Sequence, residues 1–63
     1  MNDIMHHKPK FLVSGGPFPP VECYTQEQMS TVALSLYRRG FYVVVCVRTL
    51  TGYNRYKFVP EGV

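Results

Sequence analysis

The stretch FYVVVCVRTLTGYNRYKFV, residues 41–59, carries the fold of this chain. Aromatic and β-branched residues dominate it, which suits a pleated, half-buried surface. It reads as two strands joined near Thr51-Gly52, a C-terminal β-hairpin. A two-residue turn there needs positive φ, which Gly52 accepts and Thr51 resists, so a four-residue loop is the alternative. The tight-turn register pairs Leu50 with Tyr53, Arg48 with Arg55, Cys46 with Lys57 and Val44 with Val59. One face then carries Phe41, Val43, Val45, Val47, Tyr56 and Phe58, an apolar set fit for a core. The other carries Tyr42, Val44, Cys46, Arg48, Leu50, Tyr53, Arg55, Lys57 and Val59. A slip of one residue would expose Tyr56 and Phe58, so burial enforces the face assignment. The register has one awkward consequence: Arg48 faces Arg55, and like charges directly opposite destabilise a strand pair.

The core face needs a partner, and the preceding residues supply one. Thr25 fits a helix N-cap with Gln28 three residues on, a capping box, and Tyr24 and Met29 have the spacing of a hydrophobic staple. Met29, Val32, Ala33, Leu36 and Tyr37 recur as one helical stripe. Arg38 and Arg39 suit the negative end of the helix dipole. Gly40 fits the left-handed position just past the end. The spacing predicts a helix over 26–39, with Leu34 off the stripe.

Upstream, PKFLVS at 9–14 is a first strand candidate. The segment GGPFPPVEC that follows reads as a connector, because its glycines and prolines punctuate regular structure. The expected fold class is α+β: a β-α-β-β order, a three-stranded sheet and one helix packed on one face. A short crossover would set the first two strands parallel, if adjacent, with a right-handed connection, and the long Pro-rich connector leaves another strand order open. The apolar VVVCV run marks the central strand.

With 63 residues, there is room for a single domain. It is expected over 9–60, between a flexible N-terminal tail at 1–8 and a C-terminal tail at 61–63. A chain of this size buries only about 60% of its unfolded surface, so a partner subunit would help it. Hydrophobic residues make up 46% of the chain, which argues against general disorder. Seven Lys and Arg against four Asp and Glu give a net charge of +3, mildly basic. That balance permits nucleic-acid or anionic-surface binding and argues against an acidic nucleic-acid mimic. No apolar run reaches membrane-spanning length, and MNDIMHHKPK lacks the apolar core of a secretion signal. The expectation is a cytoplasmic protein, away from membranes, with Cys23 and Cys46 as reduced thiols.

Catalytic chemistry finds little to work with. The acids are Asp3, Glu22, Glu27 and Glu61. No paired carboxylates, nucleophile elbow or cofactor fingerprint occurs, so no enzyme, catalytic residue or cofactor is expected. His6, His7, Cys23 and Cys46 are zinc-ligand types, but their spacing matches no metal motif, so no metal is expected. SGGPFPPVE is no phosphate loop, since its prolines lack the amide donors such a loop needs. Pro17-Phe18-Pro19-Pro20 has PxxP spacing without an adjacent Arg and reads as a stiff connector; Phe18 could cap the edge of the core.

What remains is the mixed second face. Tyr42, Val44, Arg48, Leu50, Tyr53, Arg55, Lys57 and Val59 are the candidate partner-binding residues. Apolar patches of this kind mark contacts, and Tyr and Arg are frequent interface anchors. The expected function is a small protein–protein interaction module: a regulator, inhibitor or assembly adaptor, and most simply a homodimer. The alternative is a nucleic-acid-binding module that stacks bases on tyrosines and pairs phosphates with cations, although no RNA- or DNA-binding consensus is present. The chain is similar in size to accessory proteins of bacteriophages and prophages, a likeness of size alone.

Overall fold

The computed structural model describes residues 8–60; the segments 1–7 and 61–63, where most of the expected tails fall, lie outside them. The elements are β1 (Phe11–Gly15), β2 (Val21–Cys23), α1 (Gln26–Arg38), β3 (Val43–Arg48) and β4 (Tyr53–Lys57). The class is α+β as expected, but the sheet has four strands in the order β2-β1-β3-β4, all antiparallel.

The extra strand is β2. The glycines and prolines of the connector end β1, yet Val21, Glu22 and Cys23 then pair back along it, with Phe11 opposite Cys23 and Val13 opposite Val21. This overturns the three-stranded β-α-β-β expectation, and the reason is directional. The added strand returns the chain to the end where β1 began. The helix then runs the other way, and β3 enters antiparallel to β1. No parallel crossover is formed. Proline before β2 is compatible with pairing because β2 is an edge strand.

The helix forms as its local signals dictate. The Thr25 hydroxyl accepts from the Gln28 amide at 3.1 Å. The Gln28 side chain reaches one residue past the usual capping-box target, to the Tyr24 amide at 2.8 Å. At the other end Gly40 takes φ +92°. The Gly40 amide bonds Tyr37 O at 2.9 Å and the Phe41 amide bonds Leu36 O at 3.3 Å, a Schellman closure.

In the hairpin the faces stand as expected and the register does not. Arg48 lies opposite Tyr53, Cys46 opposite Arg55 and Val44 opposite Lys57. The strands are offset by two residues from the tight-turn pairing, so each side chain still within the ladder keeps its face but changes its neighbour, while Leu50 passes into the loop. The four-residue loop is the one adopted. The Thr49 amide donates to Gly52 O at 2.6 Å, the Thr49 hydroxyl donates to the same oxygen at 3.1 Å, and that hydroxyl accepts from the Thr51 amide at 3.3 Å. Thr51 thereby avoids positive φ, which among the described residues only glycines adopt. The opposed arginines do not occur, and their penalty is absent.

The core is Phe11, Val13, Cys23, Ala33, Leu36, Val43 and Val45, with Met29, Val32, Tyr37, Phe41, Val47 and Phe58 packed around it. The helix stripe is therefore the inner face, and Leu34, off the stripe, is half-buried. The helix lies across β1, β2 and β3 and not over β4. Tyr56, expected in the core, is consequently 54% exposed although it points to the helix side. Only Phe58, just past β4, reaches the helix, where its ring meets Tyr37 edge-on at 6.2 Å. Phe18 closes the other end against Phe41, with ring centroids 5.8 Å apart.

Gly16 holds the reversal between β1 and β2. It has φ +65°, and a Cβ there would lie 2.9 Å from the Phe41 ring. Gly16→Ala therefore combines a left-handed backbone penalty of about 1–2 kcal/mol with displacement of that ring. Urea unfolding should show a loss of at least that size.

Candidate functional site

The helix covers one face of the sheet, and no second layer of the described residues covers the other. That open face is built by alternation along each strand. It carries Leu12 and Ser14 from β1, Glu22 from β2, Val44, Cys46 and Arg48 from β3, and Tyr53, Arg55 and Lys57 from β4. Leu12, Val44 and Cys46 form a half-buried apolar centre. One row crosses the face as Glu22, Leu12, Cys46 and Arg55, from an acid on the β2 edge to a cation on the β4 edge.

The eight candidate residues do not lie in one patch. Arg48 and Tyr53 form a cross-strand pair that anchors the chain entering β1. The Arg48 guanidinium donates to Lys8 O at 3.3 Å and the Tyr53 hydroxyl donates to Pro9 O at 3.0 Å. Leu50 leaves the face altogether: it sits in the loop before β4 and is fully exposed. Tyr42, Val44, Arg55 and Lys57 remain together toward the far end of β3 and β4. Tyr42 is 66% exposed, and Lys57 Nζ lies 5.3 Å from the centroid of its ring, a cation–π contact. Val59 follows β4 and is also largely exposed.

The phase of the hairpin ladder fixes what the β4 edge offers. The Phe58 amide donates to Val43 O at 2.9 Å and the Thr49 amide to Gly52 O. Antiparallel pairs alternate between bonded and non-bonded. Asn54 and Tyr56 therefore turn their amides and carbonyls to β3, while Tyr53, Arg55 and Lys57 turn theirs outward. All five residues of β4 are exposed.

The two thiols are unpaired and lie on opposite faces. Cys23 is in the core, where burial pushes its thiol pKa up. Cys46 is half-buried on the open face beside Arg55. Among the described residues no three His, Cys, Asp or Glu side chains converge as metal ligands, and no helix is long and apolar enough to cross a membrane; His6 and His7 lie outside those residues.

A feature missed in the sequence is a groove of about 500 Å³ between the proline connector and the helix, lined by Phe18, Pro19, Pro20, Val21, Val32 and Leu36 among others. The Pro-Phe-Pro-Pro run does more than stiffen a loop, since it forms one wall. The available signal was the exposed pair Phe18 and Val21 flanking the prolines.

Two outcomes follow from this geometry. Tyr53→Phe removes one partly buried hydrogen bond and should lower stability by about 0.5–1.5 kcal/mol in urea titration. Maleimide should label Cys46 in the folded protein and reach Cys23 only after unfolding, as peptide mapping of the labelled chain would show. No family model, curated protein or solved structure matches this chain.

Proposed function

We propose that this chain is a small non-catalytic interaction module that binds a protein partner through the open sheet face. The observation that carries the reading is the bare centre of Leu12, Val44 and Cys46 with Tyr42, Arg55 and Lys57 beside it. An apolar centre with a polar rim is the usual anatomy of a protein interface, and Tyr and Arg are its common anchors. Within the described residues the only carboxylates are Glu22 and Glu27, and Glu27 lies in the first turn of α1, where it favours the helix. That supports binding over acid–base chemistry.

A second copy is the simplest partner for a short chain, but only a two-fold axis along the strands would set Arg55 toward Glu22, and one across them would bring Arg55 and Lys57 against their own kind. Three cations, Arg48, Arg55 and Lys57, against one acid, Glu22, on this face favour a different, acidic partner. A nucleic-acid strand is the competing ligand, with Tyr42 and Lys57 as its stacking and phosphate contacts. It is less well served, because the Tyr53 hydroxyl and the Arg48 guanidinium are already engaged with the chain at Pro9 and Lys8.

The test is capture from lysate on immobilised chain, before and after nuclease, beside sedimentation equilibrium of the pure chain. A protein retained after nuclease is expected, with retention falling about thirtyfold for Tyr42→Ala, the equivalent of about 2 kcal/mol for an anchor residue. Signal lost with nuclease would turn the assignment to nucleic acid. Equal retention by Tyr42→Ala and Arg55→Glu would remove the face from the interface. A stable dimer at micromolar concentration would make a second copy the partner.

A further inference from the structure

Among the described residues no strand pairs with the outer edge of β4, and that edge offers more than charge. Tyr53, Arg55 and Lys57 present an amide and a carbonyl outward in turn, and their side chains stand on the open face. The helix does not reach this strand, so an added strand would meet no obstruction from it. We propose that β4 recognises an extended acidic peptide segment of its partner by antiparallel strand addition, with acidic side chains opposite Arg55 and Lys57. This rests on the reading that the open face meets a protein, and it specifies how.

Three observations select that occupant. An outward strand edge alternates donors and acceptors, and a peptide backbone supplies both, whereas a phosphate backbone supplies acceptors alone. Directly opposed residues share a face, so the partner residues across from Arg55 and Lys57 lie where opposite charge stabilises the pair. The same edge disfavours a second copy, because fully overlapped antiparallel β4 strands would set Arg55 opposite Arg55. The opposite edge of the sheet is a poor substitute. There β2 has three residues, and its ladder with β1 leaves only Glu22 facing outward. Cations on an edge strand also discourage indiscriminate pairing, so they restrict the edge to a complementary strand.

The ladder phase makes the inference testable at single atoms. In antiparallel addition the peptide residues opposite Arg55 and Lys57 point their own amides at β4. The probes are nine-residue peptides with Glu at alternate positions and Val, Thr, Tyr or Phe between them, read by fluorescence anisotropy at low salt. Binding is expected, with a loss of tenfold or more when the Glu amides are N-methylated and no loss when the intervening amides are. Amide exchange at Arg55 and Lys57 should slow at least tenfold in the complex, while Asn54 and Tyr56 change little. Arg55→Glu should lose the Glu peptides and gain peptides with Lys at the same positions.

Failure to bind any of these peptides below millimolar concentration overturns strand addition, and so does binding indifferent to N-methylation. Loss confined to methylation between the acids overturns the antiparallel register. An oligothymidylate that binds more tightly than every peptide would give the edge to nucleic acid. These results are separable from the fate of the open face. Peptides that bind regardless of methylation leave the face reading standing without the edge. A methylation-sensitive peptide, with a lysate partner unaffected by Tyr42→Ala, leaves the edge standing without the face.

Discussion

Gly16 turns the chain against the ring of Phe41 with φ +65° and no room for a Cβ. The arrangement of the sheet depends on that reversal. It folds Val21–Cys23 back along β1 and so adds one strand before the helix. One added strand inverts the direction of everything after it. The sheet becomes antiparallel throughout, β1 and β3 become its interior, and β4 becomes an outer edge. Phe41 in turn packs at a near right angle against Phe18, which ties the proline connector to the start of the hairpin.

Placement of the helix follows from the same geometry. Its stripe packs over β1, β3 and β2, where Cys23 and Val13 complete the core. β4 is left beyond its cover. Among the described residues the consequence is an asymmetric sheet, with a short edge marked by Glu22 on one side and a longer unpaired edge marked by Arg55 and Lys57 on the other. The open face between them has an apolar centre. Arg48 and Tyr53, which look like binding groups by residue type, act locally by holding the carbonyls of Lys8 and Pro9. The candidate site is therefore narrower than the eight residues that share its chemistry. The proposed site is the Tyr42, Val44, Arg55 and Lys57 end together with the backbone edge of β4.

Much of this was legible along the chain because its causes are local. The helix was fixed by neighbours: Thr25 and Gln28 at one end, Gly40 at the other, and the stripe of Ala33 and Leu36 between. The two faces of the hairpin were fixed by alternation, since a strand residue and its next neighbour point to opposite sides whatever they pair with. What alternation does not determine is which even offset the pair adopts. A shift of two residues keeps every side chain of the ladder on its face and moves Arg48 from Arg55 to Tyr53. Only the closed Thr49–Gly52 loop and the assembled sheet select between the two. Nor does a three-residue strand carry its own signal. Val21-Glu22-Cys23 becomes a strand because β1 is there to pair with it, and that pairing, a contact between separate segments, decided the topology, the bare β4 edge and the side of the sheet left open.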